Sequence, residues 1–233
     1  MTKKQRAAEI INRLESVYPV AECSLAYEDA WQLLVSVRLA AQCTDIRVNM
    51  VTEILFDRYP TVRALAAASV DDIEMIVKPC GLGKTKARDI HLAMNMLLSL
   101  HGGLVPDTME ALLAIPGVGR KSANLILGDI FKKPAIVTDT HCIRLCRRFG
   151  LTGSDNPSIV EKELRQIVDP EKGNDFCHRL VRHGREVCTA RSPKCHSCFL
   201  ADLCKQGRTE AQPRVPNKPP VTSIGPKKED DIR

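Results

Sequence analysis

Three stretches of the sequence hold residue types that can do chemistry at short range. In LLAIPGVGRKSANLILGDIF, residues 112–131, a lysine follows a Pro-Gly-x-Gly turn at once. Lys121 then falls on the first turn of a predicted helix, where the backbone dipole is already positive and a cation is disfavoured. The dipole and Arg120 both push towards the neutral amine. A desolvated neutral lysine is a nucleophile that forms Schiff bases. Gly117 and Gly119 let the main chain come close to a ligand. Amides at such a turn and helix start form a donor site for a phosphate, although a plain turn between core helices uses the same residues. The chemistry also needs a group to stabilise a cation or move protons. AIVTDTHCIRLCRRFG offers Asp139, ahead of a helix carrying Arg144, Arg147 and Arg148. A helix N-cap alone would account for an aspartate there.

The third stretch is CTARSPKCHSCFLADLC. It places Cys188, Cys195, Cys198 and Cys204 in a C-x6-C-x2-C-x5-C pattern. Four thiolates this close can wrap one metal centre. Zinc sites of four cysteines usually pair two short knuckles, and only the middle pair qualifies. An iron–sulfur cubane tolerates wider spacing. Spacing alone leaves the two open. Arg191 and Lys194 lie between the first two cysteines, with Arg185 just before them. A metal centre that pins a short basic loop makes a rigid phosphate-binding surface. Cys23, Cys43, Cys80, Cys142, Cys146 and Cys177 are scattered among apolar neighbours and read as small buried hydrophobes.

Positioning these groups falls to helices. Apolar residues recur at three and four, and strand-like alternation is scarce. The pattern predicts helices over 3–17, 29–40, 45–58, 61–67, 70–77, 84–101, 108–113, 121–131, 140–149, 157–168 and 173–184. Ser69 to Asp72 and Asp107 to Glu110 read as capping boxes. Short linkers suit a compact all-α bundle. Residues 206–233 are rich in proline and mixed charge, and read as a disordered tail. The 233 residues suffice for one large or two small domains. Net charge is +6 and pI about 8.8, which suits a polyanionic partner without requiring one. No apolar run approaches the ~20 residues that span a bilayer. The N-terminus reads as an amphipathic helix with Ile10, Leu14 and Val17 on one stripe, and a cytoplasmic protein is expected. GLGKT at 81–85 mimics the end of a nucleotide-hydrolase phosphate loop, but Lys78 stands where that loop needs glycine, so an ATPase is excluded.

Taken together, LLVSVRLAAQCTDIRVN, CGLGKTKARDI, LLAIPGVGRKSANLIL, VTDTHCIRL, HGREVC and the four-cysteine pattern resemble the endonuclease III family of base-excision repair glycosylases. The resemblance covers about residues 3–205. It implies two helical domains with a DNA groove between them. A six-helix domain would run over 23–133 with a helix-hairpin-helix element at 112–131. A cluster domain would combine 1–22 with 134–205 and carry a [4Fe-4S] cluster on the four cysteines. The implied activity is removal of oxidised pyrimidines from double-stranded DNA, followed by β-elimination at the abasic site, by a monomer. Lys121 matches the nucleophile that forms the Schiff base, and Asp139 the catalytic aspartate. Leu82 matches the apolar wedge and Gln42 the polar plug that fill the gap left by an extruded base. Asp45 and His141 match other positions lining the site.

Two rival functions follow from the same residues. An adenine-mismatch glycosylase of the same superfamily shares hairpin and cluster but usually lacks the Schiff-base lysine, and many carry an additional C-terminal domain. A non-catalytic DNA-binding or redox protein would use hairpin and cluster alone. Lys121, its pairing with Asp139 and the shortness of the tail favour the bifunctional enzyme. Cys43, Cys80 and Cys142 depart from the best-known family pattern and lie close to site motifs, where they are expected to affect lesion preference or oxidative sensitivity.

Overall fold

The computed structural model describes residues 1–210, and every regular element among them is helical. In chain order these are α1 (Lys3–Val17), α2 (Ala30–Leu39), α3 (Asp45–Arg58), α4 (Val62–Ala67), α5 (Val70–Val77), α6 (Gly83–His101), α7 (Met109–Ala114), α8 (Arg120–Asp129), α9 (Thr140–Phe149), α10 (Pro157–Ile167), α11 (Gly173–Glu186) and α12 (Lys205–Glu210). Tight 3-10 turns at Lys78–Cys80, Pro170–Lys172 and Cys195–Ser197 join some of them. No helix is long and apolar enough to cross a membrane among the described residues.

Local chemistry sets most helix ends. The Thr2 hydroxyl accepts from the Gln5 amide, and the Gln5 side chain accepts from the Thr2 amide, so two orphan donors of α1 are satisfied. Ser69 caps α5 through the Asp72 amide. The expected cap at Asp107 is shifted by one residue. Thr108 accepts from the Ala111 amide and starts α7, while the Asp107 carboxylate pairs with Lys133 at 2.7 Å. A hydroxyl one residue from the helix reaches the donor, and the carboxylate finds a cation instead. Gly102 and Gly150, both at positive φ, end α6 and α9.

Two sets of helices pack separately. Helices α2 to α8 pack among themselves, with α6 as the central member against α2, α4 and α5. Helix α11 packs on α9 and α1, while α10 lies against α1 and α12 against α9. The first set comprises α2 to α8, with α4 and α5 separately capped by Thr61 and Ser69. Helix α8 touches α11 and so links the sets. Asp129, at the end of α8, accepts from Asn174 and from His178 Nε2 at 2.6 and 2.7 Å. Each fully buried leucine or isoleucine in these cores contributes about 1.5–3 kcal/mol, and both sets have several.

The proline-rich segment begins with order. Helix α12 docks because Gly207 has no side chain: a Cβ there would meet Ala201 Cα at 2.8 Å. Composition does not report such a fit. The remainder of the expected disordered tail lies outside the described residues.

Candidate active site and metal centre

The loop Ile115–Gly119 joins α7 to α8 as a tight turn. Gly117 adopts φ +78°, and a Cβ there would meet Arg38 Cδ at 2.6 Å and Asp89 Cβ at 3.1 Å. Arg38 of α2 and Asp89 of α6 form an ion pair at 2.6 Å, so the hairpin lies directly on a charged platform. Glycine at 117 is required on both counts. Gly119 has an extended backbone and precedes α8, leaving the first amides of α8 at the surface side of the turn.

Lys121 is exposed on the first turn of α8. The sequence predicts desolvation and a repelling Arg120. Neither is built into the free protein. Arg120 turns away to a bidentate pair with Glu161, at 2.6 and 2.9 Å. Glu161 is buried, yet Arg120 and Arg165 overcome the burial cost and hold its carboxyl below the usual range. A cation beside Lys121 is thus neutralised within the fold. Desolvation of the amine must come from what binds over it.

Asp139 is half-buried at the head of α9. Its Oδ1 accepts from the Cys142 amide at 2.6 Å, which is the N-cap bond. Its Oδ2 accepts no hydrogen bond among the described residues. One oxygen fixes the side chain and the other remains available, so capping and chemistry coexist.

Asp45 and His141 are each set by charged neighbours. Burial would raise the Asp45 pKa, but the Ser24 hydroxyl, Arg185 and the Lys121 charge hold it below the ordinary value. Ser24 Oγ and an Arg185 nitrogen both bond to Asp45 Oδ2. The His141 pKa is lowered by burial, with Asp139 opposing and Arg144 reinforcing the change. Arg144 lies 3.2 Å from His141 Nδ1. A guanidinium can only donate, so Nδ1 accepts and the imidazole proton sits on Nε2. The ring fits because residue 184 is glycine: a Cβ there would meet Nδ1 at 2.4 Å.

Gln42 and Leu82 stand out by conformation. Both have positive φ, 58° and 52°, and Lys132 is the third non-glycine residue in this state among those described. A left-handed leucine costs on the order of 1–2 kcal/mol. Leu82 is also 58% exposed. It is therefore no core leucine; it is a strained apolar side chain held towards solvent. Gln42 is exposed in the loop after α2, past the C-cap Ala40, and is not part of the helix end.

None of the four late cysteines is in a disulfide, and all four line one cavity together with Arg148, Phe149 and Lys194. Four thiols lining one cavity suit a polynuclear cluster, with one thiolate per corner. Burial raises the Cys198 pKa, and the charges of Cys188 and Cys204 add to the rise; iron would remove those protons. The surroundings favour an anionic centre. Arg148 donates to Cys188 Sγ at 3.2 Å, and His183 Nε2 lies 3.6 Å from Cys198 Sγ. Arg148 also donates to Thr189 O and Ala190 O, and Lys194 N to Val187 O. The loop that presents the exposed Arg191 and Lys194 is thereby fixed from beneath. Of the other cysteines, Cys80, Cys142, Cys146 and Cys177 are buried, and Cys23 and Cys43 are half-buried.

Residues 35–170 match the model of the HhH-GPD superfamily of base excision DNA repair proteins, and residues 188–204 match the iron–sulfur binding domain of endonuclease III. This chain belongs to the endonuclease III family. It is 45% identical over 204 residues to endonuclease III of Synechocystis, covering 87% of this chain and 93% of that one. It is 38% identical over 202 residues to endonuclease III of Escherichia coli K12, covering 87% and 96%. A solved trapped endonuclease III–DNA covalent intermediate aligns with TM-score 0.85 and 37% identity, over 91% of this chain and 100% of that one. A thermostable thymine-DNA glycosylase aligns at 0.79 but only 20% identity, which speaks to the fold. The protein is accordingly a base-excision repair DNA glycosylase, and its cofactor is a [4Fe-4S] cluster.

Sequence reasoning missed several contributors. Gly184 lies in the HGREVC motif, which gives it no role of its own, and Arg185, read with the basic loop, instead bonds to Asp45. Arg148 is one of three arginines on α9, and nothing in its spacing distinguishes the one that faces Cys188. Lys86 had a signal: it shares the buried stripe of α6 with Ile90, Met94 and Leu97. A lysine on an apolar stripe is conspicuous.

Proposed function

We propose that this member of the endonuclease III family removes oxidised pyrimidines from duplex DNA and cuts the strand at the resulting abasic site through a Schiff base on Lys121. The observation that carries this reading is one shared electrostatic field. The Lys121 charge acts on Asp45, and Asp45 and Asp139 both act on His141. In this reading an exposed amine, two carboxylates and an imidazole made less basic by burial act together.

The chain's residues have distinct tasks in this reading. Leu82 enters the stack as the damaged nucleotide leaves it, and Gln42 faces the orphaned partner base. Arg191, Lys194 and the amides after Gly117 and Gly119 hold phosphates. Lys121 Nζ attacks C1′; the C1′–N bond breaks and the base departs with its electron pair, taking a proton. Asp139 Oδ2 offsets the positive charge that develops on the sugar and takes the proton that Lys121 sheds. The ring opens to an imine, a proton leaves C2′, and the C3′–O bond breaks, which cuts the strand on the 3′ side. Water then releases the sugar from Lys121. Capture of a relative as a covalent DNA intermediate supports the same course.

Cys188, Cys195, Cys198 and Cys204 are the proposed cluster ligands. The proposed domains are 23–133 and 1–22 with 134–205. The protein is proposed to act as a monomer in the cytoplasm, on nucleoid DNA. The test is to separate base release from strand cutting on a duplex carrying one oxidised pyrimidine. Both activities are expected from the wild type. Base release without cutting would favour a monofunctional glycosylase.

A further inference from the structure

Lys86 lies in the first turns of α6 and is fully buried, with 0% of its surface exposed. Its Nζ donates to Leu39 O at 2.8 Å, Ala41 O at 2.7 Å and Cys80 O at 2.8 Å. Burial lowers its pKa, with Cys80 and Cys43 opposing. Three carbonyl partners nevertheless require three N–H donors, and only the ammonium form has them. The charge is well placed. Leu39 ends α2, whose last carbonyls carry partial negative charge and lack partners within the helix.

The three carbonyls stand at the end of α2, in the turn that follows it and in the 3-10 turn ahead of α6. Ala41 precedes Gln42 directly and Leu39 stands three residues before it, while Cys80 stands two residues before Leu82. Gln42 and Leu82 are the two strained, exposed residues described above. Strain of this kind persists only where the surroundings enforce it. Nothing else among the described residues bonds to these three carbonyls from a side chain. The same two helices, α2 and α6, also supply the Arg38–Asp89 platform beneath Gly117.

We infer that Lys86 is a positioning residue for lesion recognition: its buried ammonium gathers these segments by their carbonyls and sets the plug at Gln42 and the wedge at Leu82 in register with each other. This rests on the gap-filling roles proposed for those two residues. It predicts that loss of Lys86 weakens recognition of a gapped stack while leaving phosphate contacts intact.

The test is a ratio of affinities, read by fluorescence anisotropy on the full chain with its cluster. One duplex is intact; the other carries a tetrahydrofuran abasic analogue. Taking a ratio cancels any loss of folded protein, so a merely structural role would not move it. Wild type is expected to prefer the analogue duplex. Lys86→Gln is expected to lose most of that preference, on the order of the hundredfold cost of an ångström-scale misplacement, with unchanged affinity for the intact duplex. Leu82→Ala and Gln42→Ala are the reference variants. If they lower the preference and a folded Lys86→Gln does not, the inference is overturned while the gap-filling reading stands. If neither reference variant lowers it, the gap-filling reading falls and takes the inference with it. Should Lys86→Gln not fold, Lys86→Arg carries the test. It keeps the charge, but a planar fork cannot reproduce a tripod of donors. A smaller fall in preference is then expected, and a wild-type ratio would overturn the inference.

Discussion

Lys121 and Asp139 both stand at the start of a helix, yet the two positions are built in opposite ways. A helix N-terminus disfavours a cation and welcomes an anion. Asp139 is accordingly locked, with Oδ1 bonded to the Cys142 amide at 2.6 Å. Lys121 is exposed on α8, and its neighbour Arg120 is drawn off to Glu161. One of the two proposed reactive groups is anchored by the field of its helix; the other stands exposed. A nucleophile that must travel to a carbon and hold it benefits from freedom. A carboxylate that must meet a developing charge benefits from being fixed in advance.

Variants that break this contrast should do so unequally. Lys121→Ala should abolish strand cutting while leaving thermal stability unchanged or slightly higher, because it removes a cation from a positive helix end; melting and cleavage assays on one preparation check both. Asp139→Asn should slow base release about 10²–10⁴-fold, the usual range for losing a proton-transfer group, with little change in melting, since asparagine caps as well as aspartate. Asp139→Ala should show the same slowing and also lose about 1 kcal/mol of stability. Gly117→Ala sharpens the Lys121 side. It forces a left-handed alanine into Arg38 and should cost about 1–3 kcal/mol, together with weaker DNA binding in filter or anisotropy assays.

The smallest effect concerns pH. Burial would raise the Asp129 pKa, but His178 and Asn174 hold it below its ordinary value. A carboxyl depressed in the folded state contributes stability above its unfolded pKa of about 3.9 and loses it as pH falls through the folded value. Melting temperature should therefore drop in that acid window, and Asp129→Asn should flatten the drop. An equal acid slope in both proteins would remove Asp129 from the link between α8 and α11.

Much of this arrangement is legible in the residues. The helices follow from apolar period and caps, and Asp139 as N-cap follows from its type and place. The hairpin glycine is readable as a turn, but the Arg38–Asp89 pair that forbids a side chain there is brought in from two distant helices. The same holds for Gly184, whose missing Cβ makes room for His141 across a helix contact. Leu82 reads as an ordinary apolar residue until its φ of 52° and its exposure are known. Thr108 took the cap from Asp107 because Lys133 competes for the carboxylate, and that lysine is 26 residues away. What escapes the sequence is a long-range partner at Gly117, Gly184 and Asp107, and a backbone conformation at Leu82.

The central claim is that Lys121 is the covalent nucleophile. Borohydride reduction during reaction with a duplex carrying an oxidised pyrimidine tests it most directly, comparing wild type with Lys121→Ala. A covalent protein–DNA complex from the wild type alone is the predicted result. A complex of equal yield from Lys121→Ala, or none from a wild type that binds DNA and retains its cluster, would contradict it.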